Sequence, residues 1–228
     1  MDIVLAGVPK SGTSMLCNAM TVAGRAVVLY EPISDAFRAE RLRAQAASLG
    51  YHGRNILGWA RKHEKWGVKE VLAQAIRKAV EWEPERVVLM VRNLGHVALS
   101  AYETNQRISW DLDHRRRRII ETAEVVMELR RTYPPDRLTV CRYEDFVSNP
   151  EYRETYRQRV NWPTLDGDVG RGLATWLGRP HEDVRHNGRI TTNSVHYRRS
   201  SRDPEAGRFA RDVLSVCPSF NEMFGYEP

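Results

Sequence analysis

The chain lacks any apolar run approaching the ~20 residues that a membrane-spanning helix needs, and its longest apolar stretches are of strand length. The first of these begins almost at Met1, so no secretory leader is expected and the protein is expected to be soluble and cytoplasmic. Cysteine is scarce: Cys17, Cys141 and Cys217 are isolated, odd in number and form no Cys-x-x-Cys pair. This excludes a disulfide framework or a zinc ribbon and leaves three buried thiols as the expectation. Histidine forms no His-Glu-x-x-His pattern, and the nearest approach, His181-Glu-Asp with His186, reads as a polar loop, so no metal is expected. Internal repeats and low-complexity linkers are also missing. A length of 228 residues then fits one domain, 1–228.

Acidic residues are in deficit, with 29 Asp+Glu against 35 Lys+Arg, for a net charge of +6. Such a balance suits an anionic partner, whether nucleic acid, an acidic membrane surface or a charged small molecule. The compact basic run Arg115–Arg118 covers a full helical turn, so its members cannot share one ligand, and it reads as a solvated helix face. No nucleic-acid-binding motif accompanies it. Neither nucleic acid nor membrane is expected as a partner.

What is present alternates between strand and helix. Strands are expected at Ile3–Ala6, Ala26–Tyr30, Trp66–Lys69, Arg86–Val91 and Arg137–Cys141. Helices are expected from Gly12 to Ala23, Ser34 to Ser48, Val71 to Trp82 and Asp111 to Tyr133, with Tyr51 to Lys65 a loop or short helix. The fold class is α/β: a central parallel sheet flanked by helices. The stripe Leu112, Ile119, Ala123, Val126 and Met127, with the stem of Arg130, marks the buried face of the long helix, which Pro134-Pro135 ends. Residues 164–202, rich in Gly and Arg, read as a lid over substrate. Asp203-Pro204 then opens a closing helix with Phe209, Val213 and Val216 inward.

The most informative segment is Ile3 to Leu16, a strand running through Gly7-Val-Pro-Lys10-Ser11-Gly12-Thr13-Ser14 into helical spacing. Backbone amides at such a helix N-terminus, aided by the helix dipole, favour an anion. The spacing Gly7-x-x-x-x-Gly12 imitates the nucleotide triphosphate loop, but Thr13 occupies the position of that loop's lysine and the lysine has moved to Lys10. Ordinary ATP or GTP hydrolysis is disfavoured. A plain glycine turn with a solvated lysine is the alternative.

Pro9-Lys10-Ser11-Gly12-Thr13-Ser14 resembles the first motif of the sulfotransferases that use 3′-phosphoadenosine 5′-phosphosulfate (PAPS). Val88-Leu-Met-Val-Arg92-Asn-Leu-Gly-His-Val-Ala-Leu-Ser100 resembles their second, departing from it at Leu94, usually proline, and His96, usually acidic. Arg142-Tyr-Glu-Asp-Phe-Val-Ser-Asn-Pro150 is similar to a third conserved segment, and Tyr197 to Tyr226 to the ending of carbohydrate sulfotransferases. The resemblance implies a P-loop-type fold and transfer of a sulfuryl group from PAPS, without a metal, leaving 3′-phosphoadenosine 5′-phosphate (PAP). The acceptor would be a hydroxyl or amine on a small molecule, sugar or natural product.

By the same resemblance Lys10 contacts the leaving oxygens, Ser11, Gly12, Thr13 and Ser14 hold the 5′-phosphate, and Arg92 with Ser100 holds the 3′-phosphate. Arg198 reaches the donor or an anionic acceptor, with Arg189 as an alternative. Glu31, just past the second strand and before Pro32, stands where open α/β sheets form their ligand crevice and is the expected general base. A helix-capping surface acid is the bland alternative. Lys69-Glu70 supplies the competing pair, Glu70 being the second-choice base. His52, His96 and His114 read as surface or helix-turn residues. From other classes, a P-loop nucleotide binder, a kinase-like phosphotransferase or a basic nucleic-acid binder remains open.

Overall fold

The computed structural model describes residues 1–33, 36–108, 111–165, 185–186, 189–190 and 203–227. Five parallel strands form one sheet: β1 (Ile3–Gly7), β2 (Ala26–Tyr30), β3 (Lys65–Glu70), β4 (Arg86–Val91) and β5 (Leu138–Arg142), in the order β2-β3-β1-β4-β5. β1 is buried along its whole length, as a central strand covered on both faces must be. Its alternating side chains feed two cores. Ile3 and Leu5 pack with α1 (Thr13–Met20), Phe146, Tyr156 and Trp162. Val4 and Ala6 pack on the opposite face with α4 (Ala73–Val80), α5 (Leu94–Ile108) and α6 (Leu112–Thr132). The α/β class read from the sequence is the observed one.

α1 stops at Met20, short of the expected Ala23. The Thr21 hydroxyl donates to the Cys17 carbonyl at 2.8 Å and accepts from Val28 N at 3.1 Å, so it turns the chain into β2. β2 is an edge strand, and an edge exposes unpaired backbone groups. Gln45 of α2 (Ala36–Ser48) covers them by accepting from Tyr30 N and donating to Val28 O, both at 2.8 Å. The segment 51–65 holds the short helix α3 (Ile56–Ala60), capped by Asn55.

Asp111 caps α6 through Asp113 N at 2.9 Å, and Tyr133 ends it before the two prolines. Two expectations fail here. Arg130 is exposed, whereas Arg115 is buried and donates to the Ala101 carbonyl at 3.1 Å. Arg115–Arg118 is therefore not a uniform solvated face, because α5 packs across the first turns of α6 and captures one arginine. Burial, followed by the neighbouring Arg118 charge, pulls the Arg115 pKa down from its ordinary value.

After β5 the chain forms α7 (Tyr143–Ser148) and α8 (Pro150–Arg159), and Trp162 Nε1 caps the end of α1 by donating to Met20 O at 2.7 Å. A two-residue pair, β6 (Arg185–His186) and β7 (Arg189–Ile190), follows. α9 (Pro204–Val216) and α10 (Ser219–Met223) close the described chain. Phe209 and Val213 face inward as expected, but Val216 is 55% exposed. The buried stripe of α9 runs through Ala206, Ala210, Val213 and Cys217, and Val216 lies at its edge where the chain turns away. Most of the lid expected at 164–202, with Arg198, His181 and the Arg189 side chain, lies outside the described residues. Among the described residues no helix is long and apolar enough to cross a membrane.

Candidate functional site

The connections leaving β1 and β4 diverge to opposite sides of the sheet, which opens a crevice at their carboxyl ends. The loop after β1 and Arg92 after β4 occupy it. Gly7 is obligatory because a Cβ there would lie 2.5 Å from Met90 O. Gly12 has φ +96°, and its Cβ would meet the Tyr143 ring at 2.4 Å. Ser11 N closes the loop onto Val8 O at 3.0 Å, so this amide, expected to face a phosphate, is already used. Thr13 and Ser14 open α1 ahead of its first helical bond, Leu16 N to Gly12 O, and their amides belong to the set that a helix leaves without internal partners.

Lys10 is exposed and held in the left-handed region at φ 75°. Its carbonyl accepts from Arg92 Nη1 at 3.3 Å, which ties the loop to β4. The Arg92 guanidinium lies 4.6 Å from the Tyr143 ring centroid, and its buried Nε has no hydrogen-bond partner among the described residues. Ser100 lies on α5, about two turns beyond Arg92. Tyr143 thus touches both Gly12 and Arg92, which gives the Arg142-Tyr143-Glu144 segment a positioning role. Its flanks are tied to the C-terminus: Tyr226 donates to Val91 O at 3.1 Å and Glu144 at 2.7 Å, and Arg142 lies over the Tyr226 ring.

The two positions that depart from the family pattern have local explanations. Leu94 keeps the N–H that proline lacks and donates it to Asn221 Oδ1 at 2.8 Å; Asn221 is 2% exposed. His96 is 3.9 Å from Glu144, and burial, then the Arg92 charge, lowers its imidazole below the ordinary histidine value against the opposing pull of Glu144.

Glu31 lies just past β2 at φ 52° and is 3% exposed. Its Oε1 accepts from the Lys69 ammonium, at the end of β3, and its N–H donates to the Lys69 carbonyl at 2.8 Å. The surface-cap alternative for Glu31 is excluded. Burial of Lys69 works against its charge, but the Glu31 carboxylate prevails and raises the ammonium pKa. Lys69 Nζ also lies 3.8 Å from the Tyr30 ring centroid, and Tyr30 OH bonds Ser14 Oγ at 3.1 Å. A continuous set of contacts therefore joins the start of α1, after the glycine loop, to the buried acid. Glu70 is fully buried and accepts from Ile33 N at 2.9 Å, which fixes the turn carrying Glu31.

The sequence reading did not single out Tyr30 or Tyr143 for the site, although each lies beside a residue that it did single out. Cys17 lies beneath the site and donates to Val28 O at 3.2 Å; burial pushes its thiol up to about 12, so it is not a nucleophile. His114 lines a cleft beside α4, and His52 is exposed. Among the described residues no group of His, Cys, Asp and Glu is arranged to hold a metal.

No protein-family model matches the chain, and no curated protein matches its sequence. Solved structures do match. The sulfotransferase domain of the olefin synthase from Synechococcus PCC 7002 is 14% identical with a TM-score of 0.60, covering 100% of this chain and 95% of its own. The sulfotransferase domain from the curacin biosynthetic pathway is 12% identical with a TM-score of 0.58, covering 99% and 98%. Mouse sulfotransferase SULT7A1, solved with PAP, is 12% identical with a TM-score of 0.54, covering 98% and 87%. The chain has the sulfotransferase fold.

Proposed function

We propose that this chain moves the sulfuryl group of PAPS to a hydroxyl or amine of a small-molecule, sugar or natural-product acceptor, within a single domain and in the cytoplasm. The observation that carries this reading is the buried Glu31–Lys69 pair at the carboxyl ends of β2 and β3, joined through Tyr30 to the anion loop. A hydrolase of nucleotide triphosphates is disfavoured because Thr13 denies the loop the usual lysine. The PAP bound in the mouse structure is consistent with the same donor.

In this reading the amides of Thr13 and Ser14 and the positive end of α1 hold the donor's 5′-phosphate. Ser11 and Gly12 shape the loop around it. Arg92 offers its guanidinium, including Nε, to the 3′-phosphate, with Ser100 adding a hydroxyl. Glu31 takes the acceptor's proton as the acceptor oxygen or nitrogen bonds to sulfur. The sulfur–oxygen bond to the 5′-phosphate breaks, and its electron pair leaves with PAP. Lys10 stabilises the charge that grows on that oxygen. Lys69 is a positioning residue: its bond to Oε1 fixes where the Glu31 carboxylate points. Lys10 and Glu31, the two residues assigned to the chemistry, are both held at positive φ, a strained backbone for a residue with a Cβ.

Glu31→Gln is expected to lower transfer from radiolabelled PAPS by about 10²-fold while calorimetry with PAP stays unchanged. Normal turnover would transfer the base role to Glu70. Binding of ATP with magnesium in place of PAP would instead indicate a phosphoryl-transfer or nucleotide-binding protein.

A further inference from the structure

From Leu94 to Tyr102, α5 is buried except at His96 and Ser100, which lie one turn apart on the same face, and Glu103 continues that face beyond them. Arg92 lies four residues before His96. A group that spans Arg92 and Ser100 along this face therefore passes His96. The backbone offers it little here, because the Leu94 amide donates to Asn221 Oδ1 and the His96 amide to Asn93 Oδ1 at 3.2 Å. An anion at this position is left to side-chain donors.

His96 itself lies between opposing charges. Burial, then the Arg92 charge just past β4, disfavours its imidazolium, and the positive end of α5 acts in the same sense. Glu144 of α7 favours it: Oε1 lies 3.9 Å from His96 Nδ1, beyond hydrogen-bond distance, and is buried with no hydrogen-bond partner among the described residues. The other Glu144 oxygen already accepts from Tyr226, and Arg142 beside it is 3.5 Å from Asp145. Glu103 is two turns, or ~10 Å, further along α5. An acid in place of His96 would face the Glu144 carboxylate with no proton to give, whereas an imidazolium has two N–H groups, one for Glu144 and one for a phosphate.

Building on the transfer reading above, we propose that His96 is a third ligand of the donor's 3′-phosphate, beside Arg92 and Ser100, and that it binds as the imidazolium. Nδ1–H donates to Glu144 Oε1, which orients the ring, and Nε2–H donates to a phosphate oxygen. The proton comes from solvent as the donor binds, because the phosphate offsets the Arg92 charge that opposes protonation of the free imidazole. Donor recognition thereby depends on the 3′-phosphate and on pH, strengthening as pH falls through the range in which the bound imidazole takes up its proton.

The test is calorimetric titration of the full chain with PAP, and with adenosine 5′-phosphate as the ligand that lacks the 3′-phosphate. At about pH 6, His96→Gln is expected to weaken PAP about tenfold or more and to leave adenosine 5′-phosphate unchanged. The loss is expected to narrow at about pH 9, where the wild-type imidazole is neutral too. Titrations in two buffers of different ionisation heat are expected to show the wild type taking up more protons on binding PAP than His96→Gln does, a readout that a merely structural change would not move. PAP affinity and proton uptake that the variant does not alter, or equal weakening of the two ligands, would overturn the assignment. His96→Asn repeats the test should the first variant fold poorly. Absence of PAP binding by the wild type refutes the transfer reading along with this one, whereas PAP binding that is indifferent to His96 refutes this one alone.

Discussion

Among single residues, the two acids that leave adjacent strands are distinguished by their partners. Glu70 accepts from a backbone amide, that of Ile33, and Glu31 accepts from a side-chain ammonium that lies over an aromatic ring. Arg92 similarly influences its neighbour His96. Because burial and Arg92 lower the imidazole pKa, the fold favours neutral His96. That contribution to stability is fully present above the unfolded value of 6.5 and is lost as pH falls below it toward the folded value. A phosphate on Arg92 would cancel the second of the two causes. The His96 titration midpoint, followed by NMR, is therefore expected to rise when PAP is added. An unchanged midpoint would separate Arg92 from the 3′-phosphate.

At the level of elements, the loop depends on supports that are distant in sequence. Gly12 is shaped by Tyr143 at the start of α7, and the start of α5 is held by Asn221 of α10 through the Leu94 amide. Leu94→Pro restores the usual family residue but removes that donor and leaves the buried Asn221 oxygen without it. We expect a loss of about 1–3 kcal/mol in urea unfolding, despite the tolerance of helix starts for proline. Stability equal to the wild type would show that Asn221 finds another donor. The same bond accounts for the absence of proline from this position in the chain.

Across the whole molecule, the anion loop, Arg92 and the C-terminal Tyr226 anchor draw on β1, β4, β5 and the last helices, so ligand binding is expected to stabilise the fold as a unit. PAP at a hundred times its Kd is expected to add about 2.7 kcal/mol, read as a higher Tm. Arg92→Ala is expected to remove most of that increment while the unliganded Tm changes little, because the guanidinium's hydrogen bond among the described residues is to the exposed Lys10 loop. A full increment in the variant would place the bisphosphate elsewhere.

The strand and helix order was legible because buried parallel strands appear as short apolar runs and α6 as a long 3.6-residue stripe. The glycine loop between β1 and α1 was legible because its requirements are local: a glycine where β4 approaches, another at positive φ, and a helix immediately after. Side-chain pairings between elements were not legible. The sequence put Glu31 and Lys69 38 residues apart, and only the parallel register of β2 on β3 brings them together. Arg115 and Arg130 occupy the same helix with similar local surroundings, and the packing of α5 alone decides which is buried. Arg115–Arg118 as a string is simply a basic turn, and its division into one buried residue, one ion-paired residue and two that line the cleft beside α4 depends on where α4 and α5 meet it. Local sequence determines backbone conformation through short-range sterics and periodicity, while charge compensation is set by distances that exist only once the sheet has assembled.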